Sequence, residues 1–302
     1  MQISEYQRYA ADAAGYGITT VQAVMTGYPV DRAAPLIEEA KLLIRMRLIA
    51  FPMTAPSAWR QPAPGRSSGR VTVSGTKWIL DGTPIERLMF LRRPYEDAPS
   101  TRGRVNFSDA DLRMFLTRAL ASREQPMFHV VGDAAIDMLL AALEATGGEK
   151  WAPLRPRIEH GDMFESAHVE RARRMGVVLV QNPSHFMLAS VMRSRLGARS
   201  SRMSAVKSLV AAGVPLAIGS DGPMNPFFDL MFAVINETNP GEALTLEQAL
   251  APTLAGRPSP SGWTGRKERS SPACWPTWRY CRRIFSRCPS QSCRKRRLSS
   301  RS

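Results

Sequence analysis

At 302 residues the chain is long enough for one large barrel or two ordinary domains. Its 44% apolar content fits a globular protein, and no apolar stretch is long enough to span a bilayer. A net charge of +15 would suggest a nucleic-acid partner until it is located: residues 251–302 hold 13 of the 41 Lys and Arg and a single acid, Glu268. That leaves 28 basic against 25 acidic groups in residues 1–250, net +3. All four cysteines (Cys274, Cys281, Cys288, Cys293) and three of the six tryptophans lie in the same terminal stretch, so two compositions share one chain. The N-terminal segment is polar with mixed charge, unlike a secretory signal, and the cytoplasm is the expected compartment.

In chain order, a helix over Glu5 to Ala14 ends at a glycine pair, and GITTVQAV follows as a buried strand. A second helix, about Ala34 to Arg45, feeds the strand MRLIAFPM. A Pro/Gly/Ser-rich loop from Pro62 to Gly69 precedes VTVSGTKWIL, a strand running into Asp81 and Gly82. Ser108 opens a helix through Ala121, with Asp111 in the capping-box position. Strands then alternate regularly with helices: MFHVV, RPRIEH, GVVLVQ and PLAIGS, separated by DAAIDMLLAALEAT, ESAHVERARRM and SAVKSLVAAG, and closed by FFDLMFAVINE. This rhythm predicts parallel strands covered by helices, seven of them, one short of a closed (β/α)8 barrel. A doubly wound open sheet is the alternative, but no G-x-G-x-x-G follows any strand.

Four histidines occur, and two of them sit where a barrel builds its active site. His129 lies in MFHVV just before Gly132-Asp133, and His160 ends RIEH just before Gly161. In a parallel barrel the C-terminal strand ends share one face, where two imidazoles can bind a divalent metal through neutral nitrogens. Asp221 follows PLAIGS directly; a carboxylate there can bind metal and take a proton from a metal-activated water. His185, after the strand end in QNPSH, is a candidate substrate or oxyanion contact. His168 is expected on the surface of a helix, among Glu165, Glu170 and Arg171. Lys77 is the one basic residue of its strand, and a buried lysine is costly unless paired or modified, so it is a further site candidate.

The segments DGTPIERLMFLRRPY, FHVVGDAAID, RIEHGDMF, VQNPSHF and GSDGPM resemble, in order and spacing, the motifs of the amidohydrolase superfamily, specifically its amidohydrolase-3 branch, from about Gly17 to Leu250. The resemblance implies an α/β fold, a (β/α)8 TIM barrel of the metal-dependent hydrolase type, that uses one or two divalent ions, zinc above all, to cleave C–N bonds other than peptide bonds. It implies metal ligands at His129, His160, Asp221 and Lys77, the last at a position that can be a carboxylated lysine bridging two metals. Asp221 and His185 are the implied catalytic residues, with Asp81, Gln181 and His185 against a small amide-type substrate. Relatives begin with a strand ending in His-x-His; no H-x-H occurs here. The expectation is therefore an incomplete barrel over residues 1–250, strands two to eight, lacking its first strand and the flanking β-domain.

The terminal stretch departs from the family's Gly-x-x-Ala-Asp-Leu-x-Val-Leu close. Read one base upstream, the codons of Trp275 to Cys281 admit Leu-Ala-Asp-Leu-Ala-Val-Leu, which points to a shift of reading frame near residues 248–252 and a disordered, aberrant tail over 251–302. The tail's cysteine spacing matches no zinc finger or ribbon. Three functions stay open: a metal-dependent hydrolase, an inactive fragment of one from a disrupted gene, and nonspecific nucleic-acid binding through the basic tail. Neither a specific nucleic acid nor a membrane is an expected partner, and self-association into a homo-oligomer is left open.

Overall fold

A computed structural model describes residues 2–55 and 67–254, all within one unit over residues 1–263. The loop from Pro62 lies outside the described residues up to position 66, as does the tail from 255 onward, so the readings placed there have no structural counterpart. The strands are β1 (Thr20–Val24), β2 (Arg45–Met53), β3 (Ser67–Ser68), β4 (Val71–Ile79), β5 (Pro126–Val130), β6 (Arg157–His160), β7 (Val178–Gln181) and β8 (Leu216–Ile218). Apart from β3, which pairs antiparallel with β4, they form one parallel sheet in the order β1-β2-β4-β5-β6-β7-β8. These are the seven strands read from the sequence. Among the described residues β1 and β8 do not pair, so the sheet is an incomplete barrel.

Its curvature has a direct witness. Arg157 of β6 donates from Nη1 to Oε1 of Gln22 on β1 at 2.6 Å, and Arg47 of β2 reaches the same oxygen at 3.3 Å. Four strand intervals separate β1 from β6, about 19 Å in a flat sheet, beyond the combined reach of the two side chains. The sheet must curl until its inner face meets itself, giving a half-barrel.

Helices cover the outside. They are α1 (Ile3–Gly15), α2 (Val30–Glu39), α3 (Asp109–Ala121), α4 (Asp133–Thr146), α5 (Ser166–Arg174), α6 (Ala189–Leu196), α7 (Val206–Ala211), α8 (Pro226–Ile235) and α9 (Leu246–Leu254). One apolar cluster joins α3 to α5 with the central strands, where Trp78 stacks on Phe115 at 4.4 Å between ring centroids. A second joins α1 and α2 to β1 and β2 through Tyr6, Ala10, Ile37 and Leu48. The Ser108 capping box is present: the hydroxyl accepts from Asp111 N, and Asp111 Oδ2 accepts from Ser108 N, both at 3.1 Å.

Several local expectations are corrected. Helix α2 starts at Val30, not near Ala34, because Pro29 supplies an extended N-cap and Val30, Ala33, Ala34 and Ile37 form its inward stripe. Helices α6 and α9 were not foreseen. His168, expected on the surface, is 1% exposed. Its Nδ1 accepts from Glu165 N at 3.1 Å and its Nε2 faces Asp137 at 3.1 Å, so it folds back to cap the start of α5. The charged neighbours that suggested a solvent face point elsewhere; the inward pair on this helix is His168 and Ala172.

Asp81, expected at a substrate, is instead a loop anchor. It is fully buried, and its carboxylate accepts amides of Phe90 (3.0 Å), Val131 (2.9 Å) and Gly132 (2.9 Å). Burial pushes its pKa up to about 7 even though those three amides pull the other way. It thus locks the loop after β4 onto the end of β5. Gly132 is required there, since a Cβ would collide with the Phe90 carbonyl. Replacing Asp81→Asn turns an amide NH2 toward an amide donor in a dry site, and should cost about 2–3 kcal/mol in denaturant unfolding; an unchanged midpoint would show that the anchor carries no stability.

Candidate metal centre

The parallel sheet delivers four candidate side chains to one rim. His129 is on β5, His160 ends β6, His185 lies on the 3-10 turn Pro183–Met187 after β7, and Asp221 follows β8 by three residues. The rings of His129 and His160 are 4.5 Å apart, and those of His160 and His185 are 5.0 Å apart, nearly parallel at 21°. His160 Nε2 is 3.8 Å from Asp221 Oδ2. His160, His185 and Asp221 each offer a donor atom, all within 4.8 Å of one another.

The protonation states suit metal binding. Burial, reinforced by Lys77, lowers the His129 pKa to about 4. Burial also holds His160 well below its usual value, with His129 and His185 adding to the effect. Both rings therefore present unprotonated nitrogens at neutral pH. His129 Nε2 and His160 Nδ1 are buried without any hydrogen-bond partner. His129 Nε2 is an orphaned, unprotonated nitrogen of the kind a divalent cation needs, and His160 turns its other nitrogen, Nε2, toward Asp221 Oδ2 at 3.8 Å, so these residues fit one.

The backbone is strained at the same points. His160 has φ 73° and Gly161 φ 59°, two left-handed residues in succession, and Asp221 has φ 43°. For a non-glycine residue that conformation costs about 1–2 kcal/mol, and such strain concentrates at functional sites. Gln181 holds the turn: it is 1% exposed and its side-chain amide donates to the His160 carbonyl, while its Oε1 has no hydrogen-bond partner. Lys77 is 9% exposed on β4, with its ammonium 5.6 Å from the centre of the Phe51 ring.

Asp162 escaped the sequence reading. It is 2% exposed, and its Oδ2 lies 3.6 Å from His185 Nδ1. Burial disfavours the charged form of His185, but Asp162 outweighs it and raises the His185 pKa. The signal was present as an acid two residues beyond a strand-end histidine.

An incomplete α/β barrel with histidines and an acid at its strand ends defines the class of metal-dependent hydrolases. A profile of the amidohydrolase family, of the amidohydrolase-3 type, matches residues 3–253, and the chain belongs to that family. It is 30% identical over 164 residues to a putative amidohydrolase of Bacillus subtilis, covering 53% of this chain and 30% of that protein. It is 29% identical over 167 residues to an N-substituted formamide deformylase of Arthrobacter pascens, covering 51% of this chain and 31% of that protein. The match thus spans about a third of these relatives' length. An uncharacterised metal-dependent hydrolase from Pyrococcus furiosus shares the fold with a TM-score of 0.72 at 21% identity, over 83% of this chain and 55% of that one.

Gly161→Ala tests the strained turn. A Cβ at this left-handed position would press on Leu179 and Ile158, and the variant should lose about 1–2 kcal/mol of stability. Unfolding at the wild-type denaturant concentration would show that the turn is not constrained.

Proposed function

We propose that the chain carries the metal-binding rim of a hydrolase acting on the C–N bond of a small, non-peptide amide. The observation that supports this most is the convergence of His129, His160 and Asp221 on one rim, with His129 Nε2 buried and partnerless and His160 Nε2 3.8 Å from Asp221 Oδ2. The deformylase relative supports an amide-type substrate. His160 and Asp221 would hold the ion, with His129 alongside and Lys77 on the neighbouring strand. A bound divalent ion, zinc by expectation, would polarise the scissile carbonyl and make water a better nucleophile.

The chain's own residues supply the rest. Asp221, whose side chain is half exposed, is accessible to substrate; with Oδ2 facing the ion, its other oxygen, Oδ1, can take a proton from the attacking water and return it to the leaving nitrogen. Burial, aided by neighbouring cationic groups, lowers both histidine pKa values and favours the unprotonated rings as acceptors. No helix among the described residues is long and apolar enough to cross a membrane. A second reading, metal binding without turnover, is favoured by the edges of β1 and β8, which stay unpaired among the described residues.

The purified chain should hydrolyse N-substituted formamides or simple amides, lose that activity to a chelator and regain it with zinc. Asp221→Asn should lower kcat by about 10²–10⁴-fold. Turnover indifferent to chelation, or an Asp221→Asn variant as fast as wild type, would contradict the proposal; zinc retention without turnover would select the second reading.

A further inference from the structure

We infer that His185 is itself a metal donor, completing a three-residue set with His160 and Asp221, and that Asp162 is the residue that positions it. This rests on the metal reading above and replaces the expected substrate contact. A tetrahedral zinc ion with bonds of about 2.0–2.1 Å sets its ligand atoms about 3.3–3.4 Å apart. His160 Nε2 and Asp221 Oδ2 already stand at 3.8 Å, and the His185 donor lies with them inside a 4.8 Å limit. Drawing the set together needs shifts of an ångström or less at side-chain tips.

The turn bearing His185 is tied to the loop bearing Asp221. Ser184 Oγ donates to the Ser220 carbonyl at 3.4 Å, and the His185 amide donates to Asn182 O at 2.9 Å. Three successive strands, β6, β7 and β8, thus each bring one donor to the same point.

Asp162 accounts for the orientation of the ring. A carboxylate that is 2% exposed is costly unless a cationic or N–H partner faces it. Its Oδ1 has no hydrogen-bond partner, and its Oδ2 faces His185 Nδ1 at 3.6 Å. With Nδ1 directed to Asp162, Nε2 is the nitrogen left for a ligand. This carboxylate–imidazole–metal relay fixes tautomer and ring angle. Two imidazoles and one carboxylate leave a fourth position open, as catalytic zinc sites require.

Cobalt titration of the purified full chain, followed by visible absorption with zinc competition, tests the assignment without relying on turnover. Asp162→Asn should weaken cobalt binding by about 10–100-fold, and His185→Gln should weaken it further, with each variant's thermal unfolding recorded to confirm that it is folded. His185→Cys should add a sulfur-to-cobalt charge-transfer band above the wild-type background of the four tail cysteines. Wild-type affinity in both His185→Gln and Asp162→Asn, with no new band in His185→Cys, would overturn the assignment while leaving the metal reading intact. Failure of the wild-type chain to bind cobalt or zinc would overturn both.

Discussion

The site depends on one geometric constraint, that seven strands running the same way must end on one rim once their sheet is curled. The hydrogen bond from Arg157 on β6 to Gln22 on β1 crosses the inner face and records that curl. Curling brings the ends of β5, β6 and β7 close enough for rings separated by tens of residues to meet within 5.0 Å, edge to face at His129–His160 and stacked at His160–His185. It also removes those rings from water. Desolvation then does the chemical work of keeping His129 and His160 unprotonated, which a cation would require of them.

Around that rim the protein places successive supports. Asp81 ties the loop after β4 to the backbone beyond His129, and Gln181 braces the left-handed turn at His160. Asp162 faces His185 from beneath the next strand end. Each support is a buried polar group whose bonds end on the backbone or imidazole of the rim, so the arrangement is costly to form and stiff once formed. The strain at His160 is sustained by the Gln181 contact.

Strand order and covering helices were legible because parallel strands buried on both faces write themselves as short apolar runs between helical periods. All seven appear where those runs fall. The histidines at strand ends were legible for the same reason. Side-chain direction was not. His168 sits among charges that read as solvent-facing and Asp81 reads as a substrate contact, yet one caps a helix from inside and the other anchors three amides. Asp162 stood in view two residues past His160, but its role depends on the left-handed turn at His160, and that turn leaves no mark in sequence. Helix α6 went unread because its eight residues, ASVMRSRL, have only a weak apolar stripe.

X-ray absorption spectroscopy of the zinc-loaded chain tests the central claim most directly, because it reads the ligand shell whether or not the protein turns over substrate. The account predicts a low-coordinate nitrogen and oxygen shell with the multiple-scattering signature of at least two imidazoles, reduced by one ring in His160→Gln. A shell of water oxygens or tail thiolates, unchanged in that variant, would contradict it.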